Sequence, residues 1–166
     1  TVIGRMICGS FWERVIMPII GALLAIRFHP TAVNRARRAS EAIANGQFIL
    51  VTRESYEAVG THAAVRHEVA EDLALAQLYF RAGRPQLFAF GLRLLGTRMY
   101  TSLAGLVEGW SKNVYVGGRR SYPDEPVLRA LIPVMFACGA LFWLLPPAVL
   151  LLALVGVTPA LLAPAA

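Results

Sequence analysis

The sequence predicts an α/β domain joined to a membrane-spanning tail. Three observations carry this. Strand, helix and strand patterns follow one another between Gln47 and Phe90, the order of an α/β layer. All 16 Lys/Arg and all 10 Asp/Glu lie at or before Arg129, so the last 37 of the 166 residues carry no charge. The apolar fraction is 57% and the mean hydropathy +0.56, which excludes a disordered or fibrous chain.

Taken in order, Thr1 to Gly9 is apolar around Arg5 and reads as a strand or strand end. Phe11 to Phe28 reads as a helix. Its 12 uncharged residues between Arg14 and Arg27 are too short for a bilayer of about 30 Å, so it suits a buried, interfacial or re-entrant position. A signal peptide fits it poorly, because Arg27, Phe28, His29 and Pro30 follow the apolar run in place of a small-residue cleavage site. His29 to Ser40 reads as a basic loop. Asn45-Gly46 is a turn, Gln47 to Thr52 a strand, and Arg53 to Val59 a short helix stopped by Gly60. His67 to Ala82 is the strongest helix, with Glu68, Glu71 and Asp72 at its start and Arg81 at its end, as the helix dipole favours. Pro85 leads into a strand over Gln86 to Phe90.

Thr97 to Val116 reads as an amphipathic helix, with Met99, Leu103, Leu106, Trp110 and Val114 on one stripe and Gly117-Gly118 ending it. Val127 to Leu145 is long enough to span a bilayer. Pro146-Pro147 breaks that span, and Ala148 to Ala163 begins a second. The basic residues preceding the span place the remainder on the cytoplasmic side of the cell membrane, inner or plasma.

The net charge is +6, and 15 of the 16 basic residues are arginine. Arginine suits forked recognition of phosphate, so the partners this balance fits are an anionic lipid surface or a phosphorylated substrate. Nucleic acid is excluded, because no aromatics interleave with a basic stripe. Cys8 and Cys138 form no metal or redox spacing and read as reduced.

Four groups could carry chemistry. Glu71-Asp72 either compensates the dipole of its helix or offers a carboxylate that takes a proton from a hydroxyl. Arg98, read as opening the amphipathic helix, opposes the dipole there; it either snorkels or shares a phosphate with the helix end. Trp110 with Lys112 and Asn113 either anchors the interface or floors a sugar. His62, with Arg66 and His67, reads as a loop histidine, and no metal site is assigned. No P-loop, GxGxxG, nucleophile elbow or zinc motif is present, and with Asp124 the only other aspartate there is no DxD.

Three segments carry a resemblance: ANGQFILVTRESYEAVGTHAAVRHEVAEDLALA at Ala44 to Ala76, RMY at Arg98 to Tyr100, and EGWSKNVY at Glu108 to Tyr115. In these the chain resembles the C-terminal half of a membrane-bound family 2 glycosyltransferase, of the branch associated with hopanoid and carotenoid-type lipids, and more distantly ceramide glucosyltransferases. The resemblance implies a partial GT-A (Rossmann-like) domain over residues 1–96, an interfacial helix and basic loop over 97–126, and one or two membrane helices over 127–166. It implies inverting transfer of a sugar from a nucleotide-sugar donor to a lipid acceptor, with a Mg or Mn ion whose ligands lie outside this chain. Asp72 then stands as general base, with Glu71 beside it and Asn45, Gly46, Gln47 and His62 lining the acceptor pocket. Trp110 to Asn113 stands where relatives carry a Q/RxxRW motif. Gly109 replaces the arginine, and the grip on the diphosphate falls to Arg98 or Lys112. The apolar start at Thr1 and a tail that ends mid-span read as a fragment, inactive by itself. The alternative is a small non-enzymatic integral membrane protein or lipid-binding subunit.

Overall fold

A computed structural model describes residues 1–29 and 31–156. The chain divides at Arg129 into two compact units. It is mixed α/β, mostly helical, with small parallel sheets and one long apolar helix.

The first unit opens on β1 (Val2–Ile3) and β2 (Arg5–Met6), separated only by Gly4. β1 pairs in parallel with β3 (Ala89–Phe90), and β2 with β4 (Gly96–Thr97). The backbone continues the pairing between them: Gly91 N–H donates to Ile3 O at 2.9 Å and Arg5 N–H to Leu95 O at 2.7 Å. Gly4 permits this approach, since a Cβ there would lie 2.7 Å from Leu95 O. The apolar start and the Gln86–Phe90 region thus do form strands, though shorter than predicted.

Helix α1 (Phe11–Arg27) starts at a capping box: Ser10 Oγ accepts from Glu13 N–H, and Glu13 accepts from Ser10 N–H. Its buried residues are Glu13 and Met17. Phe11, Trp12, Val15, Ile19, Leu23 and Ile26 stay exposed, Ile26 by 78%. At about 100° per residue these six fall within one face of about 120°. The outward face is therefore apolar, while the inward side is mixed: Glu13 and Arg27 lie among Met17 and the half-buried Ile16 and Ile20.

Glu13 is the centre of that inward side. Its carboxylate accepts four hydrogen bonds, from Gly9 N–H, Ser10 N–H, Arg98 Nε and Arg98 Nη2, all at 2.9–3.0 Å. The paired guanidinium and these donors hold the carboxyl well below the usual range, against the cost of burial. Further along α1, Arg27 Nη2 donates to Ser40 O (2.6 Å) and Ser121 O (2.5 Å), and its guanidinium lies 4.7 Å from the ring centroids of both Phe28 and Tyr122.

The helix α3 (Glu71–Arg81) is the core. Leu73, Ala74, Leu75, Ala76, Gln77 and Tyr79 are all buried, because α3 packs against 3₁₀ turns at Ala39–Glu41 and His62–Val65 and against α4 (Leu103–Arg120). A short α2 (Arg53–Ala58) precedes it, capped by Thr52 Oγ1.

Several predicted boundaries are corrected. Gln47 to Thr52 is not a strand; only Phe48 O meets β1, accepting from Val2 N–H at 3.0 Å, and Leu50 stays 78% exposed. The strongest helix starts at Glu71 rather than His67: Glu68 N–H closes the preceding turn on Val65 O at 2.9 Å, and Ala70 has non-helical backbone angles (φ −101°, ψ 66°). The amphipathic helix starts at Leu103, behind the N-cap Ser102, so Thr97 lies in β4 and Arg98 outside any helix. Gly117-Gly118 does not end it. The helix runs to Arg120, and Ser121 closes it by donating from both N–H and Oγ to Gly117 O. Within His29 to Ser40, two 3₁₀ turns form at Val33–Arg35 and Ala39–Glu41; Pro30 lies outside the described residues.

The helix α5 (Pro126–Leu154) is long and apolar enough to cross a membrane by length and composition. Pro146-Pro147 does not break it, and it runs past them and past Pro133. Each proline removes one backbone donor while its neighbours keep theirs, which helices in apolar surroundings accommodate. The part of the predicted second span before Leu154 therefore belongs to this helix, and residues 157–163 of it lie outside the described residues.

Glu13→Gln removes the ion pair and keeps the shape. It is expected to lower the thermal midpoint in detergent by about 5 °C or more, whereas Glu41→Gln, on an exposed pair with Arg38, moves it little. Because the folded Glu13 carboxyl is depressed, its stabilisation is complete above the ordinary value of 4.5 and fades as pH falls below it. The acid limb of a stability–pH curve is therefore expected to flatten in Glu13→Gln.

Candidate functional site

The first residues of α3 and the Asn45 turn, 26 positions apart in sequence, meet in space. Asp72 Oδ2 accepts from Gly46 N–H at 2.9 Å, and Oδ1 from Leu73 N–H at 2.7 Å. Ala70, the N-cap of α3, offers no side-chain cap, so Asp72 supplies the acceptor for this helix end. Gly46 suits the contact: a Cβ would lie 3.3 Å from Asp72 Oδ2. The turn is itself held, with Asn45 Oδ1 accepting from Gln47 N–H and Asn45 N–H donating to Thr1 Oγ1, both at 2.9 Å. Asp72 is half-buried and Glu71 beside it exposed, so the two carboxylates face different surroundings. Each Asp72 oxygen keeps acceptor capacity beyond its one backbone bond.

Among the described residues, no hydrogen bond or ion pair ties His62, Arg98, Trp110, Lys112 or Asn113 to this cluster. His62 lies on the turn before α3, exposed, its Nδ1 2.6 Å from the Tyr56 hydroxyl. It follows Gly60 (φ 84°) and Thr61 (φ 59°), the latter in a region a β-branched residue rarely enters. Thr61 Oγ1 offsets part of that strain by accepting from Ala63 N–H.

Arg98 is committed to Glu13 through Nε and Nη2 and lies outside any helix. Its unfavourable place at a helix start does not arise, and what demands it is a protein carboxylate. Gly9 makes room, since a Cβ there would lie 2.5 Å from the guanidinium. Sequence reasoning missed Glu13; the signal was Ser10-x-x-Glu13, a capping-box spacing.

Trp110 is half-buried in the seam between α1 and α4. Its Nε1–H donates to Met17 Sδ at 3.2 Å, and its ring lies 6.2 Å from that of Tyr100. The indole is thus a packing element between helices. Asn113, one turn on, lies beside the Tyr100 hydroxyl, whose ionisation burial pushes up. Lys112 is exposed. Gly109 has a steric reason: a Cβ there would collide with the Tyr100 hydroxyl.

Among the described residues no three His, Cys, Asp or Glu side chains converge as metal ligands. The divalent ion that the resemblance implies has no ligand set among them, and no step is routed through it. No family model, curated protein or solved structure matches the chain.

Gly109→Ala is expected to displace Tyr100 from Trp110, altering Trp fluorescence and near-UV dichroism, and to cost about 1–3 kcal/mol. Gly21→Ala, where a Cβ meets nothing within 4 Å, is expected to leave these signals in place and to raise helix stability by roughly 0.5–1 kcal/mol.

Proposed function

We propose that the chain carries the acceptor-side region of a family 2 glycosyltransferase acting at a membrane surface. The observation that supports it best is the Asp72–Gly46 contact, which joins two of the motif segments on which the resemblance rests. In this reading Asp72 is the general base. An acceptor hydroxyl gives its proton to a carboxylate oxygen while its own oxygen forms a bond to the anomeric carbon of the sugar. The bond from that carbon to the nucleoside diphosphate breaks, and the diphosphate leaves with the electron pair, which inverts the anomeric centre. The two backbone N–H groups fix the carboxylate's orientation, so the remaining lone pairs have defined directions. Glu71, Asn45, Gly46, Gln47 and His62 border the acceptor in this scheme. Lys112 remains the basic group available to the donor phosphates, since Arg98 is engaged by Glu13.

A lipid acceptor fits the apolar outward face of α1, which presents Phe11, Trp12, Val15 and Ile19 as an in-plane interfacial helix does. The membrane assigned is the cell membrane, with the 1–129 region on its cytoplasmic side. The same face also favours the second reading, a lipid-binding module without catalysis.

Sugar transfer from nucleotide sugars to lipid, assayed in membranes expressing the gene's full reading frame, separates the two. Asp72→Asn is expected to reduce turnover by at least about 100-fold, with Glu71→Gln far less affected. Undiminished transfer by Asp72→Asn removes Asp72 from the mechanism. Absence of transfer in the wild type, with lipid binding retained, leaves the binding module.

A further inference from the structure

The last turn of α4 and the first turn of α5 enclose a hollow of about 250 Å³, lined by Glu68, Tyr115, Arg119, Arg120, Pro123 and Arg129, all within the first unit. Three guanidiniums face one carboxylate. Glu68 engages Arg120 Nη1 at 3.2 Å, and Arg120 Nε is buried with no hydrogen-bond partner. Among the described residues neither Arg119 nor Arg129 pairs with a carboxylate. Arg119 lies 5.9 Å from the Tyr115 ring centroid, at the hollow's wall.

Arg129 carries a second, independent argument. It lies in the first turn of α5, where the helix dipole disfavours a cation; the carboxylate nearest it in sequence is Glu125, just before the helix, whose Oε2 is buried with no hydrogen-bond partner and which forms no ion pair with Arg129. It is also the last charged residue of the sequence, immediately before 37 uncharged ones. An anion in the hollow would answer both the excess of guanidinium charge and the dipole. A tetrahedral oxyanion offers forked acceptors to several arginines at once, which a chloride or a single carboxylate does not.

We infer that this hollow binds a phosphate group through Arg119, Arg120 and Arg129, supplied either by the phosphoester of a lipid headgroup or by free phosphate. The inference is independent of whether the chain transfers a sugar. Arg119 and Arg129 form the exposed rim and Arg120, held by Glu68, the floor. Glu68 competes with the ligand for the same guanidinium.

The test uses the full chain in maltoside micelles, which contain no phosphate. One arm titrates short-chain phosphatidic acid and the other inorganic phosphate, each followed by calorimetry and native mass spectrometry. Saturable binding of one ligand per chain is expected in at least one arm. Binding of phosphatidic acid alone identifies a headgroup site, and binding in both arms shows that the phosphate suffices. The double variant Arg119→Gln/Arg129→Gln is expected to weaken binding by about 10-fold or more. The control Arg53→Gln/Arg66→Gln removes the same charge from exposed positions elsewhere and is expected to change it by less than about 2-fold. Glu68→Gln is expected to tighten binding by about 3-fold, a gain that misfolding cannot produce. No saturable binding in either arm, equal loss in both double variants, or weaker binding in Glu68→Gln overturns the inference.

Discussion

The Glu13 carboxylate joins three parts of the first unit that are distant in sequence. Gly9 and Ser10 reach it from the end of β2, α1 carries it, and Arg98 reaches it from the end of β4. The parallel β2–β4 pairing and the start of α1 are thereby fixed to one another, and the chain leaving Arg98 is aimed into α4. A carboxylate this buried is tolerable only because all its acceptor directions are answered, two by backbone and two by one guanidinium fork. Removing Arg98 leaves the Glu13 charge buried and unmatched, whereas removing Glu13 leaves an arginine that is 40% exposed and can be solvated.

That constraint explains the orientation of α1. Its inward side holds Glu13, Met17 and Arg27, each anchored by a directional contact: to Arg98, to Trp110, and to the carbonyls of Ser40 and Ser121. The large apolar residues are then left on the outside. In a water-soluble domain such a helix would rotate to bury Trp12, Val15, Ile19 and Leu23 and expose its glutamate. The directional anchors on the inward side hold it in the observed orientation and leave a contiguous apolar face exposed.

Periodicity made much of this legible. The stripe through Leu106 and Trp110 is the face of α4 that packs inward, and the acidic start and basic end of α3 lie where the dipole places them. Features fixed by distant partners were not legible. Arg98 looks like a misplaced helix residue until Glu13 is beside it, and Gly109 looks like a lost arginine until Tyr100 fills its space. Glu68 stays outside the helix its propensity favours because its N–H closes the turn on Val65 O and Ala70 breaks the helical backbone. The glycine pair at 117–118 and the proline pair at 146–147 carry strong local stop signals. The first is overridden by the Ser121 cap and the second by backbone bonding along an apolar helix. The meeting of Asp72 with Gly46 was implied only by the family likeness; no local pattern links residues 26 apart.

Two physical forces can hold the first unit against a bilayer, and their magnitudes decide which dominates. The outward face of α1 offers six large apolar side chains that are 41–78% exposed. Full burial of such a side chain is worth about 1.5–3 kcal/mol, so partial exposure leaves roughly 1 kcal/mol for each. An arginine near an anionic surface contributes about 1 kcal/mol, and that contribution decays within a Debye length of about 8 Å at physiological salt. The six side chains together offer about 6 kcal/mol, against about 3 kcal/mol for the three arginines of the hollow, and only the second figure falls with salt. The arginines serve a different purpose, because burial of a smooth apolar face fixes depth but not position along the surface. A forked contact between guanidinium and phosphate is directional, so in the proposed arrangement the hollow at the start of α5 would discriminate between headgroups, whereas the face of α1 would answer only to an apolar phase.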